Sequence, residues 1–198
     1  MGRNSSIIGI TGRISTGKDT ASKIICSRYG FHEINVDKIG HIVLQAKQDR
    51  VVKIFGKKIL NNKNEIERVK LRNIVFNDRE KLEKLEAITH PAIYKEIEQI
   101  ILKNEFDKII INAALLFKLN IAKFCGHIFI IKANDEIIKK RLRASRNLDE
   151  NLVINILKWQ DDIFLNKNIL NSKIINIINS KSYEHLEKEI RAKMKEVT

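Results

Sequence analysis

The sequence predicts a three-layer α/β fold around a five-stranded parallel sheet, on three observations. Short apolar runs of strand length alternate along the chain with amphipathic stretches of helical period. The run 106–111 is apolar except at Asp107-Lys108, the pattern of a strand buried on both faces. A glycine-containing loop joins the first such run to the first helical stretch, and right-handed crossovers then carry every strand end to one edge of the sheet.

The first strand is expected over Ile7 to Thr11, followed by a helix whose apolar positions Ala21, Ile24, Ile25 and Tyr29 share a face. Between them, Gly12-Arg13-Ile14-Ser15-Thr16-Gly17-Lys18 fits the phosphate-binding pattern G-x-x-x-x-G-K in the strand-to-helix setting that it requires. Gly12 and Gly17 are expected in dihedrals that a Cβ would penalise, letting successive N–H groups face one concavity. The helix N-terminus adds its dipole, and Lys18 adds a mobile cation for the β- and γ-phosphates. The last motif position, usually Ser or Thr for Mg²⁺, is Asp19, with Thr20 beside it. A carboxylate is also a hard oxygen ligand, so Asp19 and Thr20 are the metal-binding candidates.

Gly30 is placed to stop the first helix, and a second strand is expected over Phe31 to Ile34. Asp37 follows it, just past a strand end where ligands sit in open α/β sheets; the residue also suits an N-cap. Residues 45–104 read as an inserted, charged, helical region, with Gly56 as a helix end, a short extended piece at Lys58 to Leu60 and a turn at Asn61-Asn62. Pro91, the only proline, is expected to begin or kink a helix. Strands are expected at Phe106 to Ile111, His127 to Ile131 and Ile174 to Ile178. Asn134 and Ser182 are expected to cap the two helices after the fourth and fifth strands. The whole chain reads as a single domain: a core of 6–40 and 105–198, a helical insert of about 45–104, and a basic lid of about 139–165.

Composition narrows the function. The 198 residues are 43% hydrophobic, enough for one substantial core. No apolar run approaches a membrane span, and no secretory signal is expected; the M-G-x-x-x-S start is read as a chance match to a lipidation pattern. Cys26 and Cys125 lie far apart and are expected to be reduced thiols in a cytoplasmic protein. The net charge of +13 is spread along the chain rather than gathered in a stripe. It argues for solvated lysines and a polyanionic small substrate, with no nucleic-acid or membrane partner.

Several separated stretches together resemble the dephospho-coenzyme A kinase family. They are Ile8-Gly9-Ile10-Thr11-Gly12 with Gly17-Lys18, then Ile34-Asn35-Val36-Asp37 against the family's I-D-A-D. Glu67-Arg68 with Leu71 and Val75-Phe76 follow, and Leu85-Glu86-Ala87-Ile88-Thr89-His90-Pro91 approaches L-E-x-I-x-H-P. Leu115-Leu116-Phe117 is similar to the P-L-L-F-E segment, Arg141-Leu142 with Arg146 to R-L-x-x-R, and Gln160 to a later glutamine. The resemblance implies ATP as donor, Mg²⁺ as cofactor, and the ribose 3′-hydroxyl of dephospho-CoA as acceptor. It implies that residues 12–20 bind ATP, with Lys18, Asp37, Arg141 and Arg146 catalytic: Asp37 as base, the arginines closing from a lid. Arg68, His90, Pro91, Leu115, Leu116 and Phe117 would line the acceptor site. It is compatible with a monomer or weak homo-oligomer.

The chain departs from that family at polar positions. Asn35 and Asn112 stand where Asp is usual, Ala114 replaces Pro, and Lys118 replaces Glu. Asp19 offers a carboxylate that offsets the one lost at Asn112, so the site's total charge is kept. The departures leave open a nucleoside or nucleotide kinase of the same class, or a weakened nucleotide-binding relative.

Overall fold

The computed structural model describes residues 6–103, 105–146, 157, 164 and 172–197. Five strands, β1 (Ser6–Thr11), β2 (His32–Asn35), β3 (Lys108–Asn112), β4 (His127–Lys132) and β5 (Lys173–Ile178), form one sheet in the order β2-β3-β1-β4-β5. All four pairings are parallel. The register sets Ile10 opposite Asn112 and Asn112 opposite Asn35, so the carboxyl ends of β1, β2 and β3 finish together.

Helices cover both faces. α1 (Lys18–Tyr29) and α7 (Tyr183–Met194) pack on one through Ile24, Ile25, Leu186, Ile190 and Met194, against Ile8, Ile10, Ile110, Phe129 and Ile177. On the other, α2 (Val36–Ala46) and the second half of α5 (Arg79–Lys103) supply Val43, Ile93 and Ile97 against Ile109, Ile111, Ile128 and Ile130. The alternation of Ile109, Ile110 and Ile111 between faces is the period of two that makes a doubly covered strand read as unbroken apolar sequence. Each such isoleucine contributes about 1.5–3 kcal/mol relative to exposure. Gly9 keeps β1 close to this second layer, for a Cβ there would stand 2.8 Å from Leu116 Cδ2 and 2.9 Å from Cys125 Sγ.

Between β2 and β3 the chain builds a smaller apolar cluster of Val51, Phe55, Ile59, Ile66, Leu71, Val75 and Ile88. It joins α3 (Gln48–Phe55), a 3₁₀ turn (Lys57–Ile59) and α4 (Arg68–Val75) to the first half of α5. Gly56 ends α3 at φ 78°, and Leu60 bridges Ile66 across the turn that begins at Asn61. Of the two placements expected for Pro91, at the start of a helix or within one, the structure takes the second: it lies inside the 25-residue α5. Burial of Ile88, Thr89, Ile93 and Ile97 on both sides offsets the hydrogen bond that proline cannot donate.

The remaining boundaries move by one or two residues. Gly30 ends α1 in the left-handed conformation, as expected, and β2 then runs on to Asn35. Asn35, rather than Asp37, caps α2: its Oδ1 accepts from Lys38 N at 3.0 Å. Asn134 accepts from Ile137 N ahead of α6 (Asp135–Arg146), and Ser182 caps α7. Most of the expected lid at 139–165, including Gln160, lies outside the described residues, as does the side chain of Arg146.

Candidate active site

The loop between β1 and α1 opens on a cavity of about 840 Å³. Ile14, Ser15, Gly17, Lys18, Asp19 and Thr20 line it from the loop, Asp37 and Ala114 from the ends of β2 and β3. Arg141 reaches it from α6, and Asn179, Lys181 and Tyr183 close it from the β5–α7 turn. Among the described residues no side chain caps α1, whose N-cap is Gly17 at φ 95°. The first N–H groups of α1 are thus left for an anion.

The loop's glycines work differently from one another. Gly17 takes the left-handed conformation, but Gly12 does not, contrary to expectation. Gly12 is needed for space: a Cβ would stand 2.5 Å from Ile131 O and 2.6 Å from Thr16 Oγ1. The other left-handed residue is Ser15, at φ 58°, a strained position for a residue with a side chain. Thr16, 2% exposed, ties the loop to itself by donating from N and Oγ1 to Arg13 O, at 3.3 and 2.8 Å. Arg13 donates to Asp135 at 2.8 Å, fastening the loop to the start of α6.

Lys18 is the electrostatic centre. Its side chain is 12% exposed, and Nζ donates to Asp37 Oδ2 at 3.0 Å and to Asp19 Oδ1 at 3.2 Å. Burial pushes the ammonium down, and the two carboxylates, Asp37 first, raise it overall above the ordinary lysine range. Asp19 is held below the usual carboxylate range, where the Asn112 hydrogen bond and Lys18 outweigh its own burial. The site therefore holds a cation between two carboxylates, each with a side chain more than half exposed.

Asn112 sits at 1% exposure at the end of β3, and its Nδ2 donates to Asp19 Oδ1 and to Glu33 Oε1, both at 2.9 Å. Ser22 in α1 donates to the same Glu33 oxygen. A fully buried amide with two carboxylate partners must present its nitrogen to both, so its orientation is fixed by chemistry. Its Oδ1 has no partner among the described residues.

The other predicted residues separate. Arg68 is exposed at the start of α4. His41, one turn after Asp37 on α2, is held below the ordinary imidazole range first by its own partial burial and then by the Arg68 charge, against the pull of Asp37. His90 and Pro91 stand on α5 and are not among the residues that line the cavity. Leu116 and Phe117, 0% and 3% exposed, are core residues packed under α2 and α5, with Leu115 partly buried beside them. Lys118 donates to Glu86 at 2.6 Å, one turn before His90. Glu33, His41, Glu86 and Asn179 were not singled out from sequence. The strand-end rule that picks out Asp37 also covers Asn179, immediately after β5, whereas nothing local marks Glu33.

A parallel sheet in this order, with a phosphate loop after β1 and a lysine held between carboxylates, defines a phosphate-loop kinase. The dephospho-CoA kinase family model matches residues 6–188. The dephospho-CoA kinase of Borreliella burgdorferi is 59% identical over 195 residues, 98% of this chain and 95% of the relative. That of Fusobacterium nucleatum is 35% identical, over 93% and 94%. The solved dephospho-CoA kinase from Campylobacter jejuni superposes with a TM-score of 0.61 at 28% identity, covering 98% of each chain. This chain belongs to the dephospho-CoA kinase family. Among the described residues no helix is long and apolar enough to cross a membrane.

Proposed function

We propose that this protein transfers the γ-phosphoryl group of ATP to the ribose 3′-hydroxyl of dephospho-CoA, giving coenzyme A and ADP. The observation that carries the reading is Lys18 Nζ at 3.0 Å from Asp37 across the mouth of the phosphate loop. It puts the donor's cation and the acceptor's base one hydrogen bond apart. The loop amides and Lys18 hold the β- and γ-phosphates. Asp37 accepts the hydroxyl proton as the acceptor oxygen bonds to phosphorus and the bond to the β–γ bridging oxygen breaks. Phosphoryl transfer asks for positioning and charge more than for covalent help, and this arrangement supplies both.

The donor set fits Mg²⁺: Asp19 is held below the usual carboxylate range and 63% exposed at the helix start, and Thr20, the next residue, lines the same cavity. When bound, the ion neutralises charge on the β- and γ-phosphates. Arg141 and Arg146 serve as cationic groups of α6, and Arg68 with His41 as contacts for an anionic acceptor beside Asp37.

A coupled assay of ADP release tests the reading. Turnover that appears with dephospho-CoA and is absent with nucleosides and nucleoside monophosphates is the expected result. Turnover only with a nucleoside or nucleotide, or ATP binding without turnover on any acceptor, would overturn it.

A further inference from the structure

Asn179, which follows β5, is 6% exposed and lies against the phosphate loop from the side opposite Asp37. Its Nδ2 donates to Thr16 O at 2.8 Å, and its own N–H donates to Lys132 O at 2.7 Å. Arg141 of α6 meets the same place. One guanidinium nitrogen donates to Ser15 O at 3.2 Å and Thr16 O at 3.4 Å, the other to Asn179 O at 3.2 Å and Asn179 Oδ1 at 3.5 Å. The amide orientation is forced. Reversed, it would set oxygen against the Thr16 carbonyl and nitrogen against a guanidinium.

We propose that Asn179 is a positioning residue for the donor phosphates, a role that rests on the kinase reading above. The peptide between Thr16 and Gly17 is trans, so its C=O and N–H point in opposite directions. Holding the Thr16 carbonyl against Asn179 therefore also fixes the direction of the Gly17 N–H, at a residue that lines the cavity. A phosphate loop gains affinity by presenting N–H groups already aimed, and a carbonyl free to rotate would swing the matching N–H away. Ser15 at φ 58° and Gly17 at φ 95° are conformations that need such outside support.

Two features give the contact its specificity. Asn179 closes the space over Gly17 so tightly that a Cβ on that glycine would stand 2.2 Å from Nδ2. The same side chain accepts from Arg141, so the phosphate loop, α6 and the β5–α7 turn share one polar junction. Asn179 touches no reacting atom in this scheme. Its effect reaches the donor through the Thr16–Gly17 peptide.

Calorimetric titration of MgATP into wild type, Asn179→Asp and Asn179→Ser, with melting curves and steady-state kinetics, tests the proposal. Aspartate keeps the size and the Arg141 partner but sets an oxygen against the Thr16 carbonyl; serine is too short to reach it. Both variants are expected to weaken MgATP binding about 2- to 10-fold, the range for one lost hydrogen bond at a carbonyl that keeps its longer Arg141 contact. KM for dephospho-CoA should stay within about twofold, and the stabilisation that ATP gives the wild type should shrink in both. MgATP affinity equal to wild type in a folded variant, whatever its melting temperature without ligand, would overturn the proposal. Should Asn179→Asp fail to fold, Asn179→Ser carries the same readout. A wild type that binds no MgATP would instead overturn the kinase reading, and the proposal with it.

Discussion

Asn112 donates its side-chain amide to Asp19 at 2.9 Å, joining the end of β3 to the first turn of α1 across 93 residues of chain. The contact accounts for two departures from the family pattern at once. With Glu33 also 2.9 Å from that nitrogen, an aspartate at position 112 would face two carboxylates in a buried setting. The asparagine lets Asp19 remain ionised beside Lys18.

Asn112→Asp should therefore destabilise the protein in a pH-dependent way. The new carboxyl, buried beside Asp19 and Glu33, takes a folded-state pKa above its unfolded value of about 3.9. Between those values the folded state holds the extra proton, so the deficit is small at low pH and grows as pH rises through the folded pKa. The full loss is expected to reach about 3–5 kcal/mol. Denaturant unfolding at pH 5 and pH 8 checks it. Adding Asp19→Ser should recover part of the loss, and a deficit independent of pH would remove the electrostatic account.

Asp19→Ser alone, in the native Asn112 background, should leave folding near wild type but shift the Mg²⁺ dependence of nucleotide binding to higher concentration. It takes away an ionised carboxylate at the end of the phosphate loop and leaves the Thr20 hydroxyl. A shift of about tenfold is expected, the lower end for the loss of a metal contact. ADP titrations at several Mg²⁺ concentrations measure it; superimposable curves would place the ion elsewhere.

Lys18 and Asp37 share a hydrogen bond yet should fail differently. Asp37→Asn keeps the shape and removes the base, so kcat should fall about 10²–10⁴-fold with ATP affinity little changed. Lys18→Ala should lower both ATP binding and kcat/KM, the latter about 10²–10³-fold. If Asp37→Asn weakened ATP as much as turnover, Asp37 would belong to the metal rather than to the acceptor.

The elements legible in the sequence are those whose signal is local. The five strands, the phosphate loop and the caps at Gly30, Asn134 and Ser182 each rest on period, motif or a single residue type, and the structure moves them by no more than two residues. What sequence could not supply depends on register. Glu33 and Asn112 meet only because β2 runs beside β3 with Asn35 opposite Asn112, and Asn179 reaches Thr16 across 163 residues. Leu116 and Phe117 illustrate the reverse. A motif match marks them as ligand contacts, while the structure buries both in the layer beneath α5, which their sequence does not announce. Gly12 shows the same limit, since a glycine kept for space reads like one kept for dihedral freedom.

The last departure, Lys118, is absorbed by Glu86 at 2.6 Å, with His90 one turn further along α5. Burial first, and then Lys118, hold the His90 imidazole below its ordinary range, while Glu86 pulls it up. A base depressed on folding binds fewer protons folded than unfolded. Its contribution is thus fully present above the unfolded pKa of about 6.5 and lost as pH falls through the window down to the folded value. Lys118→Glu exchanges the cation for an anion, so His90 should titrate at higher pH and that window should narrow. The variant also leaves Glu86 facing a like charge, which lowers stability near neutral pH. Following the His90 ring protons by NMR against pH, beside urea unfolding at pH 5.5 and pH 7.5, separates the two effects. A His90 midpoint unmoved or lowered in Lys118→Glu would show that burial alone sets its proton affinity.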